Sequence, residues 1–349
     1  CEACVVACVL ENGIQFPDSW RSIFKFNKDK IPGIPLFNLS LACNHCEDAP
    51  CMEGCPAIAY SMNSQTGAIL IDSELRIGCR YCTWNCPYEA PKYNPVSGVI
   101  EKCNFCNSRL LENKKPSCAV SCPTGALDFS FDEIDKRNIS SNIEVPNKPS
   151  PSIVIHELTS KNGPEIDDKL FFHTDFEQSL PADAITAKKE LPLLIFTFII
   201  SCMTAVSASN ILSGFQVRIK LAFLLIGALA AVISVLHLGK KGRFWRSILN
   251  IRRSWLSREI FFFSVYYLLS IIDLLIFRIP QSVLVISGLL TLLSIDMLYK
   301  PLQWEWKFEW HSGQVLIIAI SLFMLIARFY VVLSIFFLVC LVVMLFQFP

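Results

Sequence analysis

The chain has 349 residues, of which 53% are hydrophobic and only 17% charged, against roughly 25% charged in ordinary soluble domains. Its 31 Lys and Arg nearly cancel its 30 Asp and Glu, so there is no global basic field to attract nucleic acid. These values exclude a disordered chain, a coiled coil and a single soluble globule. They point instead to a cysteine-rich head joined to a membrane-embedded tail.

Residues 1–130 hold fourteen of the sixteen cysteines, set among Pro, Gly, Asn and short apolar runs with little helical periodicity. A small domain reads this way when inorganic clusters replace part of its apolar core. Residues 131–189 are charged, free of cysteine and punctuated by Pro146, Pro149, Pro151, Pro164 and Pro181. They read as a linker wrapped over the surface, with one strand at 152–158. From Leu191 the apolar content rises, with candidate spans at 191–212, 219–238, 259–278, 281–299, 312–329 and 331–348. Each approaches the roughly 20 residues that cross a bilayer. The runs lack polar faces, which disfavours core helices of a soluble protein. Cys202 and Cys340 lie within them and read as packing residues. The sequence begins at Cys1 and stops at Pro349 directly after an apolar run; we expect both ends to continue in a longer protein, so a missing leader says nothing about export.

The cysteines form four groups. CEACVVAC supplies Cys1, Cys4 and Cys8; CNHCEDAPCMEGCP supplies Cys43, Cys46, Cys51 and Cys55. RIGCRYCTWNCP supplies Cys79, Cys82 and Cys86; CNFCNSRLLENKKPSCAVSCP supplies Cys103, Cys106, Cys118 and Cys122. A cubane cluster needs thiolates converging from one side, and C-x2-C in a tight loop points two sulfurs at neighbouring irons. The cysteine three residues on, before proline, leaves that loop for the partner cluster, so the groups work in pairs. Disulfides do not favour C-x2-C pairs this dense. Structural zinc uses C-x2-C too, but the x3-C-P endings and the number of thiolates favour iron–sulfur clusters.

CNHCEDAPC, IGCRYCTWNCPYEAPKYN and KCNFCNSRLLENKKPSCAVSCPTGAL resemble the second, third and fourth motifs of the four-cluster iron–sulfur subunit of the dimethyl sulfoxide reductase family. The resemblance runs almost continuously over 1–130. It implies an α+β ferredoxin-like iron–sulfur domain in which the first group pairs with the fourth and the second with the third. Cys8, Cys103, Cys106 and Cys118 would then hold one [4Fe-4S] cluster, and Cys43, Cys46, Cys51 and Cys86 another. Cys1, Cys4 and Cys122 would hold a third, its last ligand expected three residues before Cys1. The fourth site departs from the family. Arg76 stands where the motif leads with cysteine, leaving Cys79, Cys82 and Cys55, and a guanidinium stays protonated and ligates iron poorly. A [3Fe-4S] cluster is the favoured outcome; a four-iron cluster with a non-cysteine ligand and an empty site remain open. Losing a thiolate and gaining a cation both raise the reduction potential. His45, between two ligands, reads as a hydrogen-bond donor to cluster sulfur or backbone rather than a ligand.

HLGKKGRFWRSILNIRRSWLSREI (237–260) and KELPLLIFTF (189–198) resemble that family's membrane anchor subunit, implying an all-α polytopic membrane domain over 190–349, with further spans expected beyond Pro349. The resemblance implies that membrane quinol (menaquinol or ubiquinol) gives electrons to the clusters, which pass them to a molybdopterin catalytic subunit on another chain. His237 and Glu259, flanking one loop, match positions implicated in quinol binding; the alternative places them at the interface, paired with Arg258 or headgroups. Asp273 and Asp296 are weaker candidates, since Arg278 and Lys300 stand near enough to neutralise them, and Arg328 marks a turn between spans. The loop 239–258 carries Lys240, Lys241, Arg243, Arg246, Arg252, Arg253 and Arg258 and no acidic residue. By the positive-inside rule it lies in the cytoplasm, whereas the family's best-known members place their clusters outside. The expected location is the bacterial inner membrane. Two rival readings stand: a redox-driven ion translocator with Asp273 and Asp296 in a proton path, and a structural anchor with zinc-bound cysteines.

Overall fold

The computed structural model describes residues 1–15, 18–26, 37–130, 150–153, 187–209, 212, 216–299 and 320–321. The chain divides into two compact units. The first comprises Cys1–Glu53, Ala59–Arg76 and Cys82–Ala184; the second comprises Gly54–Ile58, Ile77–Tyr81 and Ile185–Pro349. Two short cysteine-bearing segments are therefore built into the unit that holds the long apolar helices.

In the first unit, α1 (Ala3–Asn12) turns the first cysteine group inward. Among the described residues of this unit it is the one helix longer than five residues, in a stretch that shows little helical periodicity in sequence. Cys4, Cys8 and Val9 recur at helical spacing and share its buried face. Three antiparallel hairpins follow: β1 (Ser22–Phe26) with β2 (Phe37–Leu41), β3 (Tyr60–Met62) with β4 (Ile69–Ile71), and β5 (Lys92–Asn94) with β6 (Val99–Glu101). Between them lie α2 (Pro50–Glu53) and α3 (Tyr81–Asn85), and after the third come α4 (Asn107–Leu111) and α5 (Ser117–Val120).

The second and third hairpins are local copies. Asn63 and Asn94 each close their turn by accepting two backbone N–H groups on Oδ1, from Gln65 and Thr66 and from Val96 and Ser97. Each turn ends on a glycine at positive φ, Gly67 or Gly98, a conformation that costs glycine nothing. The strand that leaves each turn buries Ile69 or Ile100. Each of these two hairpins follows one of the middle cysteine groups, so the middle of the head repeats one loop-plus-hairpin module.

The second unit is helical: α6 (Ala187–Ala208), α7 (Val217–Val235), a 3-10 helix (Lys241–Ile248), α8 (Trp255–Leu275) and α9 (Gln281–Tyr299). Leu191–Ala208, Val217–Val235 and Gln281–Tyr299 are long and apolar enough to cross a membrane. These helices fall where spans were expected, with ends shifted by a few residues. The third expected span is the helix α8, 21 residues long, whose Arg258, Glu259 and Asp273 set it apart from the other three. The spans 312–329 and 331–348, Lys300, Arg328, Cys340 and most of 131–189 lie outside the described residues. Of the strand expected at 152–158, only 152–153 is described: Ser152 N–H donates to Asn44 O and Ser150 O accepts from Glu47 N–H, so this segment runs against the second cysteine loop.

Candidate metal centres

None of the fifteen described cysteines forms a disulfide. Within the first unit several thiols act on one another electrostatically. Cys8 is flanked by Cys118 and Cys106, whose charges act on it together with burial to push its pKa up to about 11; Cys103 also feels Cys8. Cys46 and Cys51 each face Cys43 and Cys86. Burial first, then these neighbours, push Cys46 up to about 12 and Cys51 higher. Burial likewise raises Cys86 to about 11 and Cys103 to about 12. Buried and half-buried thiols that act on one another in this way, without disulfides, are costly to ionise unless a cationic group holds them. This donor set fits iron–sulfur clusters. Among the described residues no three His, Cys, Asp or Glu side chains stand close enough together to hold a single metal ion.

The two quartets adjoin, because Cys43 acts on Cys103. Between them His45, at positive φ, stacks on Phe105 with centroids 4.5 Å apart. His45 Nδ1 accepts the Ile69 N–H at 3.0 Å, so the neutral ring carries its proton on Nε2, which is buried with no partner among the described residues. Burial, aided by Lys102, holds its pKa well below the usual histidine value. The Nδ1 bond of the His45 ring is thus an acceptance from backbone, while Nε2 remains available as a donor.

Lys102 escaped sequence reasoning. It is 4% exposed, and its Nζ donates to the carbonyls of Ile69 and of Cys103, the latter at 3.0 Å. Its charge acts on Cys46, Cys51, Cys86 and Cys103. A buried lysine among thiolates offsets negative charge that clusters accumulate on reduction. The available signal was its place directly before the C-x2-C of the fourth group.

The remaining cysteines are less gathered. Cys4 Sγ lies 3.4 Å from Ser40 Oγ and Cys122 Sγ 3.7 Å from Thr124 Oγ1, while Cys1 is exposed. Ser117 Oγ donates to Ala7 O, joining α1 to α5. Arg76 donates from Nη1 to the Ile100 carbonyl, and Cys82 acts on its charge.

In the second unit, burial and the neighbouring Cys55 raise Cys79 to about 12. The segments bearing these two cysteines are bound to the loop between α7 and α8. Gly239 and Lys240 N–H donate to the carbonyls of Gly78 and Ile77 at 3.4 and 3.0 Å, and Asn250 Nδ2 donates to Cys55 O at 2.9 Å. At one end of the loop the half-buried His237 meets Ser234 O through Nδ1 and feels the charge of Arg80. At the other, Glu259 is 2% exposed, with no partner for Oε2 among the described residues. Arg258 does not neutralise it: the guanidinium reaches Ile251 O at 3.0 Å and Arg252 O at 2.5 Å, and stacks 4.2 Å from the Trp255 ring. Asp273 Oδ1 accepts the Ile279 N–H at 2.9 Å, and Asp296 is buried in α9.

Comparison with known proteins agrees with this site. The family model of the 4Fe-4S dicluster domain matches residues 35–132. The B subunit of the anaerobic dimethyl sulfoxide reductase of Escherichia coli (strain K12) is 37% identical over 147 residues, covering 40% of this chain and 71% of that protein. The B subunit of the polysulfide reductase of Wolinella succinogenes is 40% identical over 134 residues (37% and 69%). The thiosulfate reductase electron transfer subunit PhsB of Salmonella typhi is 36% identical over 134 residues (37% and 68%). The head is thus an iron–sulfur domain of the 4Fe-4S dicluster class. This polypeptide belongs to the family of the dimethyl sulfoxide reductase B subunits, with apolar helices following the shared region.

Proposed function

We propose that this chain is the electron-transfer and membrane-anchor component of a molybdopterin oxidoreductase complex, taking electrons from membrane quinol and passing them through the head to a separate catalytic subunit. One observation carries the proposal. The Cys55 and Cys79 segments fold as part of the helical unit and are hydrogen-bonded to the loop whose ends hold His237 and Glu259. A reductant dissolved in lipid meets protein at such a helix end, and ionisable groups at membrane depth are functional candidates. When bound, the clusters supply one-electron carriers. Glu259, buried and unpaired, accepts one quinol proton as an electron leaves, and His237 positions the second hydroxyl and accepts its proton.

Cys55, Cys79 and Cys82, with Arg76 in the leading position, support a three-iron cluster at this entry point. Cys8, Cys103, Cys106 and Cys118, and Cys43, Cys46, Cys51 and Cys86, support two four-iron clusters, and Cys1, Cys4 and Cys122 belong to a third. The basic loop 239–258 supports an inner-membrane location with the Cys55 and Cys79 segments on the cytoplasmic face.

The test is oxidation of a reduced naphthoquinone by the anaerobically purified full chain, followed as cluster bleaching. Glu259→Gln and His237→Ala each slow bleaching at least tenfold while chemical reduction by dithionite is unchanged. Equal rates in wild type and both variants overturn the quinol site. A colourless, iron-free protein overturns the whole reading.

A further inference from the structure

Beyond its electron path, the helical unit holds a line of buried polar groups. Glu259, Tyr266 and Asp273 recur every seven residues on α8 and so share one face, spanning about 21 Å of helix rise. Asp273 lines a cavity of about 380 Å³ at the far end of α8 from the loop, beside Ser207, Ser270, Arg278 and Gln281. From that cavity the path leads inward. Tyr266, 0% exposed, has its hydroxyl 2.8 Å from Ser207 Oγ.

The neighbouring helices extend this line towards the loop. On α6, Thr197, Ser201 and Thr204 follow at helical spacing; Ser201 and Thr204 are buried, and the Thr197 and Thr204 hydroxyl oxygens are enclosed. Phe196 packs edge-on to Phe263 at 5.2 Å, which sets this part of α6 beside the stretch of α8 between Glu259 and Tyr266. On α9, Gly288 lets the backbone press on Thr204, since a Cβ there would stand 2.7 Å from its methyl carbon. The buried Thr291, Ser294 and Asp296 continue α9 in the direction of the loop. At the end of the line stands the enclosed, unpartnered Glu259 Oε2.

Ser201, Ser270, Thr291 and Ser294 donate to carbonyls of their own helices. The Thr197 and Thr204 hydroxyls and Glu259 Oε2 have no hydrogen-bond partner among the described residues, and an apolar bundle that only anchored a head would gain nothing from burying those unpaired groups. Hydroxyl groups both donate and accept, and ordered water fills polar gaps between them. We propose that the polar side chains of α6, α8 and α9 form a proton path joining Glu259 to the Asp273 cavity across the helical unit. The source of the protons rests on the quinol reading above. A quinol O–H breaks as Glu259 Oε2 takes the proton, and the electrons leave separately to the clusters. Each hydroxyl or water then accepts one proton while releasing its own, and Asp273 delivers the last to water in the cavity.

The experiment uses the full chain in proteoliposomes with a pH-sensitive dye in the lumen. A reduced naphthoquinone is the donor and external ferricyanide the acceptor, so only molecules with outward-facing Cys55 and Cys79 segments turn over. The lumen acidifies with wild type. Tyr266→Phe, which keeps the ring volume, and Asp273→Asn each cut that signal at least fivefold and send the protons outside, while cluster absorbance shows both variants folded. Protons released only outside by wild type, or an undiminished lumenal signal in both variants, overturn the path and leave the quinol site standing. If the quinol reduces no ferricyanide, the quinol reading fails, and a valinomycin-imposed potassium potential drives the path by itself. Proton flux above that of Asp273→Asn vesicles then supports it, and flux equal to protein-free vesicles overturns it.

Discussion

Replacing Lys102 by methionine keeps the volume of the stem and removes a buried positive charge. Lys102 acts on thiols of both quartets in the first unit, Cys46, Cys51 and Cys86 on one side and Cys103 on the other. Its ammonium lies 3.0 Å from the carbonyl of Cys103; a unit charge about 7 Å from an added electron, at an effective dielectric near 20, is worth about 2.4 kcal/mol. At about 59 mV for each tenfold change in a one-electron equilibrium, the loss corresponds to about 100 mV. On the proposed ligand sets, the cluster nearer Lys102 therefore becomes harder to reduce by roughly this amount and the farther one by less. Redox titration followed by EPR reads the two midpoints, with Lys102→Arg as the control that keeps the charge and leaves them in place. Leaving the Ile69 and Cys103 carbonyls unpaired also costs about 1–3 kcal/mol of stability each, so iron content is measured alongside. Midpoints unmoved in Lys102→Met at full iron content refute the electrostatic role.

Three further outcomes follow from the same geometry. On the proposed three-iron assignment, Arg76→Cys restores the cysteine at the leading position of the third motif, and EPR of the oxidised variant lacks the three-iron signal that the wild type shows; a signal that persists unchanged contradicts the assignment. Cys51→Ser removes a buried thiolate ringed by Cys43, Cys46 and Cys86, and iron analysis shows the loss of one cluster's complement; unchanged iron refutes membership of that quartet. Metal-free protein shows a pH dependence of known sign. Folded Cys46, Cys79 and Cys103 sit at about 12 against an unfolded value of 9.0. The folded protein therefore keeps protons that the unfolded one has released, and stability falls as pH rises from about 9 to about 12. Thermal melts read this decline in chelator-treated protein; it is absent once bound iron holds the thiolates deprotonated, and an equal decline in both forms counts against metal ligation.

The cysteine spacing determined the chemistry of the head, because a cluster is specified by thiolates at short, fixed separations, and those separations are visible in one dimension. The hydropathy of 191–299 determined its apolar helices for a similar reason: crossing a bilayer takes a run of fixed length. The repeat of the two hairpin modules was also written locally, in Asn63 to Gly67 and Asn94 to Gly98, though two copies this short are easily passed over. Long-range placement was decided only by the tertiary structure. Nothing near Lys102 in sequence shows that its stem is buried among thiols from residues 46, 51 and 86. No local pattern shows that Asn250 holds the carbonyl of Cys55, or that Arg258 turns to backbone oxygens and leaves its neighbour Glu259 unpaired. Burial and charge pairing depend on which distant segments meet, and that is settled by packing rather than by spacing.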